Sequence, residues 1–132
     1  MNTEERLATL ERELADLKAE LAKRVRTAAV EVVDEHGKVR AALSADAAGP
    51  AMNLLDENGN IRAVLDLTGD GPTLGLLDAP GKVRAVLGVD KDGPGLELLD
   101  ENGTLRVGLL AIKDGPRLHL VDEHGMRRAT LV

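Results

Sequence analysis

Two rhythms of apolar residues divide the chain. From Thr3 to about Val25 there is no Gly or Pro, and leucine recurs at Leu7, Leu10, Leu14, Leu17 and Leu21 in steps of 3, 4, 3 and 4. Such steps form a heptad seam, with apolar residues at the a and d positions of a helix. With Leu7, Leu14 and Leu21 at a and Leu10 and Leu17 at d, Arg6 and Glu13 fall at g, and Glu11 and Lys18 at e. In a parallel coil each g residue meets the e residue five positions on in its neighbour. Both pairs, Arg6 with Glu11 and Glu13 with Lys18, are then opposite in sign, and the next d position, Arg24, ends the seam. The other reading is an amphipathic helix lying on its own domain, but such a helix shows a wider apolar face than this stripe. The pattern predicts a coiled-coil helix over residues 3–26. A coil so short is marginal alone. Leucine at every a position lacks the β-branching that favours two strands, which leaves a trimer open.

After Thr27 the rhythm changes to alternation, and the alternation repeats with a period of 22. Asp34, Asp56, Asp78, Asp100 and Asp122 stand in step, as do Gly37, Gly59, Gly81, Gly103 and Gly125, and Arg40, Arg62, Arg84, Arg106 and Arg128. Gly-Pro pairs begin at Gly49, Gly71, Gly93 and Gly115. Self-similarity at a fixed period signals a repeat architecture. In the second copy Met52 and Leu54 share one face, and Ile61, Ala63, Leu65 and Leu67 share a face beyond a turn, the period of 2 expected of strands.

Asn58-Gly59 is a strong hairpin signal, and a type I′ turn there requires positive φ at both residues. Centring a two-residue loop on it pairs Leu54 with Ala63, Met52 with Leu65, and Leu55 with Arg62. Centring the second turn on Asp70-Gly71 pairs Leu67 with Leu74 and Leu65 with Leu76, and Asp92-Gly93 and Asp114-Gly115 repeat that register. The prediction is five hairpin units over residues 29–132, forming an antiparallel meander of ten strands with one apolar face.

A sheet must cover its apolar side, and no residues remain for a second layer. One solution is a closed barrel of ten strands with an interior cavity, but barrel interiors widen with strand number. The chain has no Phe, Trp or Tyr to fill so wide a space, although 43% of it is hydrophobic. The other solution is self-association, in which three sheets lean together around a three-fold axis as a narrow prism filled by small aliphatics. A parallel coil at the N-terminus would set its symmetry. The predicted fold is therefore mainly β with an N-terminal α-helix: a parallel coiled coil followed by the ten-strand meander, assembled as a trimeric β-prism.

Charge and composition narrow the function. The formal net charge of −6 argues against a partner with a phosphate backbone, which needs a basic face. The missing aromatic rings also remove the usual stacking surfaces for bases, sugars and flat cofactors. There is no cysteine for a disulfide or a thiolate metal site. No apolar run reaches the roughly 20 residues of a membrane span. The start, MNTEERLATLERE, lacks the basic and apolar segments of a secretory signal. Nothing in these features assigns a compartment.

Three sets of residues invite chemistry. Asp90 and Asp92 suit the first and third places of a helix-loop-helix calcium loop, but Pro94 stands at its fifth place and Glu101 at its twelfth, with Gly93 one place early. The repeated aspartates are better read as acceptors for their own turn backbone. The five arginines resemble an anion-binding ladder, yet Arg62 is expected on the outer face beside Leu55 and diagonal to Glu57, with Arg40 near Glu35 and Arg106 near Glu101. Ala79 removes that glutamate from the third copy. His36 and His124 replace Asn in their turns and His119 lies mid-strand, without the short spacing of a metal site. No catalytic, cofactor-binding or metal-binding residue is assigned, since catalysis needs one asymmetric constellation in a concave site.

Copies of the form D-E-N-G-x-x-R-A-x-L followed by D-G-P resemble the short-repeat segments of uncharacterised bacterial repeat proteins over about residues 29–132. The coil-then-β arrangement is similar to the trimeric fibre shafts of phage tails and bacterial adhesins. That resemblance implies a spacer or trimerisation stalk, with the chain itself as partner and receptor binding in a separate head. Here the last strand runs to Val132, and no such head is expected. The function expected is a non-enzymatic homotrimeric stalk or scaffold. The alternative is a binding module that holds a protein or anionic glycan on its outer arginine and glutamate rows.

Overall fold

The computed structural model of the protein describes residues 1–23 and 27–131. Arg24 as the end of the leucine seam, the stretch 24–26 of the predicted coil, and Val132 lie outside the described residues. Helix α1 spans Thr3–Lys23. Its start is fixed by a capping box that the N-x-x-E spacing encodes: the Glu5 amide donates to Asn2 Oδ1 (2.8 Å) while the Asn2 amide donates to Glu5 Oε2 (2.8 Å). All five leucines of the seam are exposed, from Leu14 at 53% to Leu21 at 72%, and among the described residues α1 packs on no strand.

The strands are β1 (Ala29–Val33), β2 (Val39–Asp46), β3 (Gly49–Leu55), β4 (Ile61–Thr68), β5 (Gly71–Leu77), β6 (Val83–Asp90), β7 (Gly93–Leu99), β8 (Leu105–Ile112), β9 (Gly115–Val121) and β10 (Arg127–Leu131). They form one antiparallel sheet in chain order, and β1 and β10 are its open edges. The closed ten-strand barrel is therefore not the fold.

Leu54 pairs with Ala63 and Met52 with Leu65, as the apolar pattern requires. Two details of the expected register are corrected. Leu55 pairs with Ile61 rather than Arg62, because a bulge lies between Leu54 and Leu55 and leaves Arg62 as the extra residue. The same bulge leaves Arg40, Arg84, Arg106 and Arg128 as the extra residues in the other copies. At the second turn Leu65 pairs with Leu74 and Leu67 with Pro72, so the loop is Gly69-Asp70 and not Asp70-Gly71. The shift moves each pair by two residues, which leaves every side chain on its expected face.

The Asn58-Gly59 turn is not type I′, since no described residue other than glycine has positive φ. The Gly59 amide donates to the Asp56 carbonyl (3.1 Å), the Asp56 amide donates to the Asn60 carbonyl (2.9 Å), and Gly59 has φ 83°. That is the pattern of a three-residue loop, a type I turn closed by a glycine in the left-handed region, and the bulge at Arg62 follows beyond the Leu55–Ile61 pair.

Pairing across the sheet aligns an uninterrupted apolar face. One row reads Val30, Leu43, Met52, Leu65, Leu74, Leu87, Leu96, Leu109, Leu118, Leu131 across all ten strands. A second row alternates large and small, as in Leu54, Ala63, Leu76, Ala85 and Leu98. No polar residue enters either row. The chain leaves this face open, with Leu43, Leu65, Leu87 and Leu109 at 48–51% exposure, and no apolar side chain among the described residues is buried.

Candidate functional site

The chemistry-bearing residues gather at one end of each unit, where the Asp-Gly turn meets the bulge. In each copy the aspartate carboxylate turns back on its own loop. Asp56 Oδ1 accepts the amides of Asn58 (2.9 Å) and Asn60 (3.0 Å). Asp34, Asp100 and Asp122 accept the corresponding pairs. In the third copy Pro80 offers no N–H, and of the loop amides Asp78 accepts that of Lys82 alone (2.9 Å). The aspartates are turn acceptors, as their position in the repeat predicts.

The bulge aims each arginine over the strand ends, where such irregularities redirect side chains. Arg40, Arg62 and Arg84 donate Nε to the carbonyls of Leu55 (3.3 Å), Leu77 (3.0 Å) and Leu99 (2.9 Å), one repeat further along the chain. Their terminal nitrogens lie near Asp34 (3.5 Å), Asp56 (3.6 Å) and Asp78 (3.4 Å). Arg106 closes on Asp100 at 2.7 Å, and Arg128 pairs with Asp122. The expected pairing with Glu35, Glu57 and Glu101 is corrected to pairing with the turn aspartate. That choice explains why Ala79 leaves the third copy intact. Aspartate, guanidinium and carbonyl together tie one hairpin to the next. Lys38 and Lys82 add a parallel tie through Nζ to the carbonyls of Glu57 (3.1 Å) and Glu101 (2.7 Å).

These contacts have an electrostatic consequence. The carboxyls of Asp34, Asp56, Asp78, Asp100 and Asp122 are held below the ordinary value of 3.8, chiefly by the amide of the residue four positions on, with desolvation opposing and the arginine assisting. A carboxyl depressed in the folded state contributes stability above its unfolded pKa, and that stability is lost as pH falls through the folded value. The sheet should therefore keep its circular dichroism signal down to about pH 4 and lose part of its stability below 3.8. Changing all five aspartates to Asn, which accepts the same amide bonds but does not titrate, should remove that part of the acid dependence. An unchanged acid transition would show that these turns do not drive it.

The histidines do not converge. His36 lies against Glu35 (3.6 Å) and His124 against Glu123 (3.7 Å) in separate turns, and His119 stands in β9 between Gly108 and Thr130. Among the described residues no three or more His, Asp or Glu side chains are grouped as a metal site. No helix among the described residues is long and apolar enough to cross a membrane. One open groove of about 580 Å³ lies on the face opposite the leucine rows, lined by Val86, Gly88 and Gly95 with Asp90, Asp92 and Asp114 around them.

Three features lie outside what the apolar pattern and the turn signals foretold. The capping box was legible in Asn2-Thr3-Glu4-Glu5. The three-residue loop was legible in the spacing of Asp and Gly. The third is a close approach of backbones at the Gly-Pro pairs, where a Cβ on Gly71 would stand 1.9 Å from the Val89 carbonyl oxygen. Its signal was a glycine in every internal copy. No family model matches the chain, and no curated protein matches its sequence.

Proposed function

We propose that the protein is a non-enzymatic structural module, a homotrimeric stalk or scaffold in which a parallel coil heads a three-sheet β-prism. The observation that carries this reading is the leucine face: an apolar surface through ten strands, open in the single chain, on a molecule in which no described apolar side chain is buried. Folding a sheet without burying its apolar side forfeits the main stabilising term. An exposed patch of this extent marks an association surface. The exposed leucine seam of α1 is a second surface with the same need, on the same chain. Two open apolar surfaces of matching simplicity are best served by copies of the chain itself. Three sheets facing inward make a core that Leu, Val and Ala can fill without rings. Stacked along the axis, the strands would give a shaft roughly 45 Å long.

The outer face supports the same reading. The five bulge arginines are engaged with turn carboxylates, and Arg40, Arg62 and Arg84 also with strand carbonyls, an arrangement that stiffens a rod. The repeated constellation offers no single asymmetric site for chemistry.

The direct test is molar mass in solution by light scattering, for which the expectation is three times the chain mass of 14.0 kDa. A folded monomer would overturn the reading. Deleting residues 1–26 should leave a β-rich spectrum but slow or misdirect assembly, read as a broadened mass distribution.

A further inference from the structure

The leucine face is nearly the same every 22 residues. Along it Leu43, Leu65, Leu87, Leu109 and Leu131 are equivalent, and so are Ala41, Ala63, Ala85 and Ala129, with Val107 the one departure. A neighbouring copy displaced by one hairpin unit, two strand spacings or about 9.6 Å, would meet almost the same surface. The leucine seam of α1 has a similar degeneracy. It repeats every heptad, about 10.5 Å along a helix. The two steps differ by only about 1 Å. With strands stacked along the coil axis, a single slip therefore keeps leucine against leucine in both surfaces. Apolar burial is non-directional and scarcely opposes it.

The charges beside the seam do oppose it. Residues Arg6, Glu13 and Glu20 lie at g, and Glu4, Glu11 and Lys18 at e. In register, the two flanks of each helix, one toward each neighbour in the trimer, place Arg6 against Glu11 and Glu13 against Lys18, four attractive contacts and no repulsive one. When one helix slips by a heptad, its flank toward one neighbour places Arg6 against Lys18. The other flank places Arg6 against Glu4, Glu13 against Glu11 and Glu20 against Lys18. The balance falls to two attractive and two repulsive contacts. Charges at these positions set partner choice and register in coiled coils.

We propose that Arg6, Glu11, Glu13 and Lys18 form the register lock of the whole assembly, excluding a state slipped by one heptad and one hairpin unit together. This rests on the self-association reading above. The face of the sheet supplies cohesion, and the short coil supplies alignment. The lock is electrostatic and exposed, so added salt weakens it.

The chain has no cysteine, so single replacements report neighbours cleanly. Chains carrying Leu10→Cys are mixed with chains carrying Leu17→Cys, assembled, oxidised in air and mapped by peptide mass. In-register assembly gives only 10–10 and 17–17 disulfides. Glu13→Lys reverses the balance, because the ammonium it introduces repels Lys18 in register and attracts Glu11 in the slipped state, and the 10–17 disulfide becomes the major product. Adding Lys18→Glu to Glu13→Lys restores the in-register products. Homodisulfides in all three backgrounds, or a dominant 10–17 product without any charge change, would overturn the lock while leaving self-association intact. A monomeric mass for the unsubstituted chain would overturn the self-association reading, and the lock with it.

Discussion

Leu65→Asp is expected to abolish the folded assembly, whereas Val64→Asp, one residue away, should leave a soluble and correctly sized one. The two residues are adjacent in β4 and face opposite ways. Leu65 lies between Met52 and Leu74 on the apolar face, and Val64 lies between Asn53 and Gly75 on the other. In the isolated chain Leu65 is the more open of the two, at 48% exposure against a half-buried Val64. A protein that worked as a monomer would therefore tolerate the aspartate at 65 at least as well as at 64. In a prism the order reverses, because three carboxylates would converge in an apolar core at a cost of several kcal/mol each. Size-exclusion mass and circular dichroism on both variants decide the matter. Equal tolerance at the two positions would contradict burial of the leucine face.

The second large effect is expected at Gly71. Gly71, Gly93 and Gly115 occupy the same place in successive copies, with φ of 133°, 134° and 114°. Their surroundings differ. A Cβ on Gly71 would stand 1.9 Å from the Val89 carbonyl oxygen, whereas one on Gly115 would meet nothing within 4 Å. Both Gly→Ala variants incur backbone strain of about 1 to 3 kcal/mol. Only Gly71→Ala must also push β6 away from β5 and break the pairing at that end of the hairpin, which raises its cost to on the order of 3 to 5 kcal/mol. Gly59→Ala, at φ 83° with open space around it, should behave like Gly115→Ala. Thermal melts of the three variants under one buffer test this ranking. A Gly71 variant no worse than the Gly115 variant would show that the backbones separate freely there.

Much of the architecture was legible in the residues. Alternation of apolar and polar positions fixed which side chains share a face. The 22-residue period fixed the number of hairpins, and the leucine steps fixed the helix. These features depend on local periodicity alone, so they survive any error in the loops. The Asn58-Gly59 pair located the turn but not its geometry. Type I′ and the bulged type I turn both need a glycine with positive φ at that place. What separates them is Asp56, whose carboxylate takes the amides of Asn58 and Asn60 and accompanies a negative φ at Asn58.

Every even strand also carries one inserted residue beyond its turn, and the consequences were visible only in three dimensions. The bulge carried Arg62 away from Glu57, toward Asp56 and the Leu77 carbonyl, a partner 15 residues distant in sequence. The glycine of each internal Gly-Pro pair looked like turn chemistry, yet Gly49, Gly71 and Gly93 are constrained by the carbonyls of Leu67, Val89 and Ala111 in the adjoining strand. Sequence by itself determined the periods, the faces and the hairpin count, because each follows from the backbone geometry of a few neighbouring residues. The turn type and the register of the second loop follow from local hydrogen bonding that the residue pattern did not single out, and the tertiary structure alone decided the partners of the arginines and the steric role of the glycines. The last two depend on where a distant strand brings its carbonyl groups, and no local spacing specifies that.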